Sequence, residues 1–156
     1  MSKAQLVMTD FFIALMVFII LITAIIINLN NYTSRLSYDQ NKNEILITLF
    51  QVSDAFVKTS GIPSSWESNL TSLEVIGLAD WDRNLSVNKV KNFTNLNYTR
   101  AQSFLDYYNF YFRIMNSTNS SLVASGLVFN GTSSVSTRRY VNYNGNEVIM
   151  ELTLWE

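Results

Sequence analysis

The chain contains no cysteine. Disulfides, thiolate nucleophiles and cysteine-ligated metals are thereby excluded. It contains no histidine either, so the commonest general base and the commonest zinc ligand are both missing. The formal net charge of −1 carries no electrostatic footprint for nucleic acid. Catalytic signatures are also missing. The chain has no G-x-S-x-G, no H-E-x-x-H, no glycine-rich phosphate loop and no EF-hand pattern. The closest pair of carboxylates, Asp80 and Asp82, flanks Trp81, and two acids at that spacing are too few oxygens for calcium. These absences point away from an enzyme, with no catalytic residue, cofactor or metal site expected. The 156 residues suffice for one folded domain beyond the apolar segment described next.

What the chain does have is a long apolar run at its beginning. From Phe11 to Ile27 only Thr23 is polar. A helix from Leu6 to Ile27 would measure about 33 Å at about 1.5 Å per residue, enough to cross a bilayer core of about 30 Å. A cleaved secretory signal peptide fits poorly, because the run is long and no A-x-A site follows it. A plain uncleaved anchor fits the length, and Lys3 favours a cytoplasmic N-terminus. Asp10 stands at the edge of the run. A carboxylate there is costly unless it reaches the interface or finds a partner, which marks it as functional.

The residues ahead of the run carry a third reading. Lys3-Ala4-Gln5 resembles the basic–small–Gln junction of archaeal class III, or prepilin-type, signal peptides. The resemblance implies a cut between Ala4 and Gln5 by a prepilin-type peptidase, with the apolar helix kept on the mature protein. It also implies a role for the nearby acid. In that family the third mature residue is usually Ser and the fifth acidic; here the third is Val7, the fifth is Thr9 and Asp10 comes sixth. By the same resemblance, Asp10 of one subunit would neutralise the new Gln5 amine of its neighbour and set the stagger between stems.

Acceptor triplets Asn-x-Ser/Thr occur at Asn31, Asn69, Asn84, Asn92, Asn97, Asn116, Asn119 and Asn130. That is more than twice what chance placement of the chain's Asn, Ser and Thr would give. All eight follow the apolar run, as N-glycosylation of a domain on the outer face of the membrane requires. A polar, turn-rich surface is the plainer account of the same triplets.

Periodicity organises the rest. Tyr32 suits an interfacial position just past the run. Ile45, Leu49, Val52 and Phe56 follow one helix face, widened by Leu46, Phe50 and Val57. Gly61 and Pro63 close that pattern. A single helix, straight or kinked, is therefore expected from Gln5 to about Lys58. Residues 61–82 read as loops whose Trp66, Ile76, Leu78 and Trp81 plug into the core. Ser86 is expected to cap a short helix with Val87, Val90 and Phe93 inward. Thr99-Arg100-Ala101-Gln102 reads as a capping box, with Ala101, Phe104, Leu105 and Tyr108 following at helical spacing. Lys89, Lys91 and Arg100 read as a solvated face, and the exposed tyrosines among Tyr107, Tyr108, Tyr111, Tyr140 and Tyr143 as ordinary strand surface or adhesive contacts.

The last third alternates as strands do: 109–116, 122–129, and two more flanking Asn144-Gly145, the strongest short hairpin signal. A two-residue turn there places Val141 opposite Val148, Arg139 opposite Met150 and Arg138 opposite Glu151, with Val148, Met150, Leu152 and Leu154 facing inward.

The expected fold class is α+β: a long N-terminal helix, apolar then amphipathic, short middle helices and a C-terminal antiparallel sheet. The plan resembles type IV pilin-like subunits over the whole chain. Residues 60–66, 76–80 and 138–145 are also similar to segments of archaeal pilin-like proteins. On that resemblance the chain divides into a leader (1–4), a membrane or filament-core helix (5–33) and an extracellular α+β domain (34–156). Its expected partners are the membrane, the peptidase and other pilin-like subunits, and its place is the cell surface or a pilus filament, after membrane anchoring. An uncleaved membrane-anchored surface glycoprotein with a binding or envelope role is the alternative.

Overall fold

The structure, a computed structural model, describes residues 3–131 and 133–156, with the side chains of residues 3–7, 9 and 37–39 outside the described set. The chain divides into two compact units, Met1–Lys42 and Asn43–Glu156. One helix, α1 (Lys3–Lys58), spans 56 residues, as the periodicity required.

In the first unit every described side chain from Asp10 to Leu36 is exposed. By length and composition this helix can cross a membrane; its most apolar window has a mean hydropathy of 3.0. Four of its polar side chains bond back onto the helix itself. Thr23 donates to Ile19 O at 2.8 Å, Asn28 to Ala24 O at 2.9 Å, Thr33 to Leu29 O at 2.8 Å and Ser34 to Asn30 O at 2.9 Å. Each of the three hydroxyls, and one N–H of Asn28, thus donates without water, which eases their placement in an apolar surrounding.

The second unit is the folded α+β body. After α1 come two single-turn 3₁₀ helices, Trp66–Ser68 and Leu70–Ser72, then β1 (Ala79–Trp81) and β2 (Asn84–Leu85). Two short helices follow, α2 (Val87–Thr94) and α3 (Tyr98–Ser103). Four longer strands complete it: β3 (Asn109–Met115), β4 (Ser121–Gly126), β5 (Val135–Tyr143) and β6 (Asn146–Trp155). They form one six-stranded sheet in the order β1-β2-β5-β6-β3-β4.

The hairpin has the expected register. Val141 pairs with Val148, Arg139 with Met150 and Arg138 with Glu151. Asn144 and Gly145 both take positive φ, 53° and 78°, the backbone that a two-residue primed turn needs and that Asn-Gly accepts readily. The sheet is not wholly antiparallel: β2 runs parallel to β5, pairing Asn84 with Asn142 and Leu85 with Tyr143. Strands of three and two residues, the first inside the 61–82 stretch read as loop and the second just past it, show too little alternation to be seen as strands.

The core lies between the C-terminal part of α1, α2 and the inner face of the sheet. Ile45, Leu49, Phe56 and Val57 of α1 are buried with Phe110, Phe112, Ile114, Val148, Met150, Leu152 and Leu154. Phe93 of α2 sits at its centre. Its ring meets Phe56 and Phe112 edge-on with centroids at 5.2 Å each, and Phe110 at 6.0 Å. Trp66 is fully buried and donates from Nε1 to Gly77 O at 2.9 Å. Gly77 is required there, since a Cβ would fall 2.3 Å from both Gly61 N and Thr59 O.

Several expectations are corrected. Phe50 is exposed and Thr48 and Ser53 of the same helix are buried, because the buried arc is rotated toward positions that reach polar partners in the sheet and the 103–108 turn. Trp81 is 68% exposed although Ala79, two residues earlier, is fully buried, because the β1–β2 register shifts between Ala79 and Trp81 and breaks the alternation. Val87 is exposed, so Val90 and Phe93 are the apolar side chains that α2 sends into the core. Ser86 occupies the cap position without a side-chain bond. The cap of α3 is Asn97, two residues before Thr99, and its side chain accepts from Thr99 N at 3.0 Å. That helix ends at Ser103, so Leu105 and Tyr108 reach the core from the turn beyond it.

The aromatic cluster makes a direct expectation. Phe93→Ala removes the ring that three others touch and should cost about 3–5 kcal/mol. Val87→Ala, one turn away but exposed, should stay within about 0.5 kcal/mol. Urea unfolding of the full chain in detergent, followed by near-ultraviolet circular dichroism, measures both.

Candidate functional site

The residues singled out in the sequence fall into two groups: the charges at the start of α1 and the acceptor asparagines. Lys3, Ala4 and Gln5 lie within helical backbone, but their side chains are outside the described residues. Asp10 is exposed on α1 and has no ion-pair partner among the described residues. Around it Met8, Phe11 and Phe12 are exposed as well. The arrangement is a single carboxylate on a helix that offers only apolar surface for the next several turns. In water that carboxylate is content. In an apolar bundle it requires a cation, because an unpaired buried charge is among the most costly features a protein can hold.

The acceptor asparagines are not equivalent. Asn31, Asn69, Asn97, Asn119 and Asn130 are exposed, and Asn84, Asn92 and Asn116 are half-buried. Three of them fold their triplets into tight Asx turns. Asn69 Oδ1 accepts from Thr71 N at 3.2 Å and Thr71 Oγ1 at 2.6 Å. Asn97 Oδ1 accepts from Thr99 N. Asn116 Oδ1 accepts from Thr118 N at 3.1 Å, Thr118 Oγ1 at 2.7 Å and Ser120 N at 2.9 Å. In each the oxygen is engaged and the amide nitrogen, the atom that would carry a glycan, stays outside these bonds. Asn92 differs: its Nδ2 donates to Glu67 O at 3.1 Å. A glycan on that nitrogen would have to replace this contact.

Charged groups in the body form ties rather than a reactive centre. Lys89, expected on a solvated face, is 3% exposed. Its Nζ donates to Ala79 O at 3.2 Å and lies 3.5 Å from Asp80 Oδ1, which pins α2 to β1. Arg100, also expected in solvent, donates to Leu70 O. Lys91 is exposed as expected. Glu151, buried on the outer face of β6, receives Arg113 Nε at 2.9 Å and Nη2 at 2.7 Å, with Arg138 Nε at 3.5 Å. The Arg138 pairing was legible; Arg113 was missed, since nothing in the sequence places β3 beside β6. No group of three or more His, Cys, Asp or Glu is disposed to hold a metal among the described residues.

Arg139 points the other way, onto α1. Its Nη2 lies 2.7 Å from Asp54 Oδ1 and donates to Ser53 Oγ at 3.2 Å. Lys58 Nζ donates to Asp54 Oδ2 at 2.7 Å. The hydrogen bond from Lys58 and the nearby Arg139 charge hold the Asp54 carboxyl below its ordinary value, against an opposing contribution from desolvation. Tyr108 moves oppositely: burial pushes its phenol up, and Glu44, Glu156 and Asp106 add to the shift.

Because the folded pKa of Asp54 is depressed, its stabilisation is complete above the unfolded value of about 4 and is lost as pH falls through the folded value. Asp54→Asn should therefore lower stability at pH 7, by no more than about 1 kcal/mol for a partly exposed pair. The gap between wild type and variant should close as pH drops below about 4. Urea titrations at pH 7 and at successively lower pH measure that gap, and a gap that widens in acid would refute the assignment.

No family model matches the chain, and no curated protein and no solved structure is significantly similar to it.

Proposed function

We propose that the chain is a pilin-like subunit of an archaeal cell-surface filament, assembled through its apolar helix after leader cleavage. The observation that carries the proposal is α1 itself. A single helix, Lys3–Lys58, offers an apolar surface on all sides through its first half and supplies core residues to the α+β unit through its second. A helix apolar all round requires an apolar surrounding, which a membrane provides before assembly and a bundle of like stems provides after it. The self-bonded Thr23 and Asn28 suit either surrounding. The Lys3-Ala4-Gln5 junction supplies the means of passing from one to the other. Cutting there releases a positive amine on Gln5, five residues before the one carboxylate at the edge of the run. The acceptor triplets support an outer location for residues 28–156, with Asn69, Asn97 and Asn116 the geometrically readiest acceptors.

The same exposed stem supports an uncleaved, membrane-anchored surface glycoprotein. The two readings part at the N-terminus. Mass spectrometry of the protein taken from its native surface should find residue 5 first and glycan on at least one of Asn69, Asn97 or Asn116. Intact Met1 or Ser2 would favour the anchored reading.

Assembly has its own test. Asp10→Asn keeps the size of the side chain and removes its charge. A broken buried pair costs about 3–5 kcal/mol, so incorporation into filaments should fall at least tenfold. The α+β unit, whose core contains no residue before Ile45, should keep its unfolding midpoint. Wild-type assembly of a cleaved Asn variant would sink the idea that the carboxylate sets the register between stems.

A further inference from the structure

The outer face of the sheet carries a second feature, unrelated to the stem. A groove of about 440 Å³ lies where the β1–β2 turn meets the β5–β6 hairpin. Trp81 and Tyr140 line it and are 68% and 77% exposed. Single exposed aromatics need no explanation. Two on one groove, in a unit that buries Trp66 and four Phe rings completely, do. The register places Tyr140, Asn142 and Glu147 together on the face opposite the core, since Asn142 pairs with Glu147 while Val141 and Val148 point inward. Asp82, Arg83, Asn84 and Val141 also line it.

The groove is held in shape. Arg83 takes a left-handed backbone with φ of 59°. Its N–H donates to Val57 O and its carbonyl accepts from Asn142 N, both at 2.7 Å. The turn is thus bonded to α1 on one side and β5 on the other, which secures a conformation that a non-glycine residue seldom adopts.

We propose that this groove binds a neutral saccharide. The charge pattern selects the ligand. Asp82 and Glu147 disfavour phosphates and other anions. Arg83, whose Nε lies 4.0 Å from Asp82 Oδ2, disfavours a simple cation, which an aromatic pair alone would have welcomed. What suits the set is a ligand with apolar C–H faces to lie on indole and phenol rings, and hydroxyls to exchange hydrogen bonds with carboxylates, amide and guanidinium. That is the chemistry of a pyranose. Asn84, an acceptor triplet residue, also lines the groove. The sugar therefore has two sources: a glycan on the chain's own Asn84, or a saccharide from another molecule. Only the first source rests on the glycosylation reading above.

The test has two arms. In the first, the full chain is made in a host without N-glycosylation and held in zwitterionic micelles free of sugar headgroups. It is titrated by calorimetry with cellotetraose and with N,N′-diacetylchitobiose. Saturable binding is expected for at least one of them, weakened about tenfold or more by Trp81→Ala and by Tyr140→Ala but not by Trp155→Phe. Both target side chains are exposed, so their loss should leave the fold intact. In the second arm, native glycosylated protein is compared with Ser86→Ala, which removes the Asn84 triplet. If the chain's own glycan fills the groove, acrylamide quenching attributable to Trp81 rises in the variant. A positive first arm with an unchanged second assigns the groove to an external saccharide; a positive second arm assigns it to the Asn84 glycan. Silence in both, or binding that survives Trp81→Ala and Tyr140→Ala, overturns the proposal.

Discussion

The structure depends on a conflict inside one helix. The first half of α1 has no polar face, and each of its large side chains gains about 1.5–3 kcal/mol only when taken out of water. The second half has a single buried arc and a solvated remainder. Folding of the α+β unit satisfies only the second requirement. Leu49, Phe56 and Val57 find their place against Phe93, Phe112 and the inner face of β6. Among the described residues none buries Phe11 through Ile27, each exposed in the structure. That surface therefore defines a need that only lipid or other chains meet.

The body meets its own polar needs locally. Glu151 is buried, yet two guanidiniums on neighbouring strands reach it. Lys89 is buried, yet a carbonyl and a carboxylate receive its ammonium. These pairs add little net stability once desolvation is counted, but they fix which elements meet. Arg113 and Arg138 bracket β6 from both sides, which resists a slip of register. Arg139 does the same between sheet and helix by reaching Ser53 and Asp54. The apolar cluster supplies the drive and the ion pairs supply the alignment.

How much of this was legible in the sequence follows from how local each signal is. The helix to Lys58 and the Asn144-Gly145 hairpin rest on residues within a turn or two of one another; the first was readable to its C-terminal end and the second to the register of individual pairs. β1 and β2 were not, because three and two residues carry no period. A register shift between Ala79 and Trp81 left Trp81 outside, and the parallel pairing of β2 to β5 joins residues more than fifty positions apart. Lys89 shows the same limit: the residue type suggested solvent, and only the fold brings Ala79 O to its ammonium. The candidate sites divide likewise. Acceptor triplets and the Lys3-Ala4-Gln5 junction are visible as strings, whereas the groove assembles 81–84 with 140–147 and leaves no string to read.

The stem's composition sharpens the part assigned to Asp10. Helices that associate in apolar surroundings gain contact chiefly where small residues let backbones approach closely, or where polar side chains bond across. Between Phe11 and Ile27 the small residues are Ala14, Thr23 and Ala24, and no two of them stand four apart. Thr23 spends its hydroxyl on its own helix. The stem thus lacks a close-packing seam, and bulky Phe, Ile and Leu side chains meet lipid tails and one another about equally well. Apolar contact alone would hold such stems together without fixing how far one slides along the next. In the proposed bundle a single charge at one end would remove that freedom, because moving its partner by even one helical turn of about 5.4 Å would exchange a contact pair for two separated charges in a medium that screens neither. The scarcity of other polar groups along the run is what gives one carboxylate this leverage.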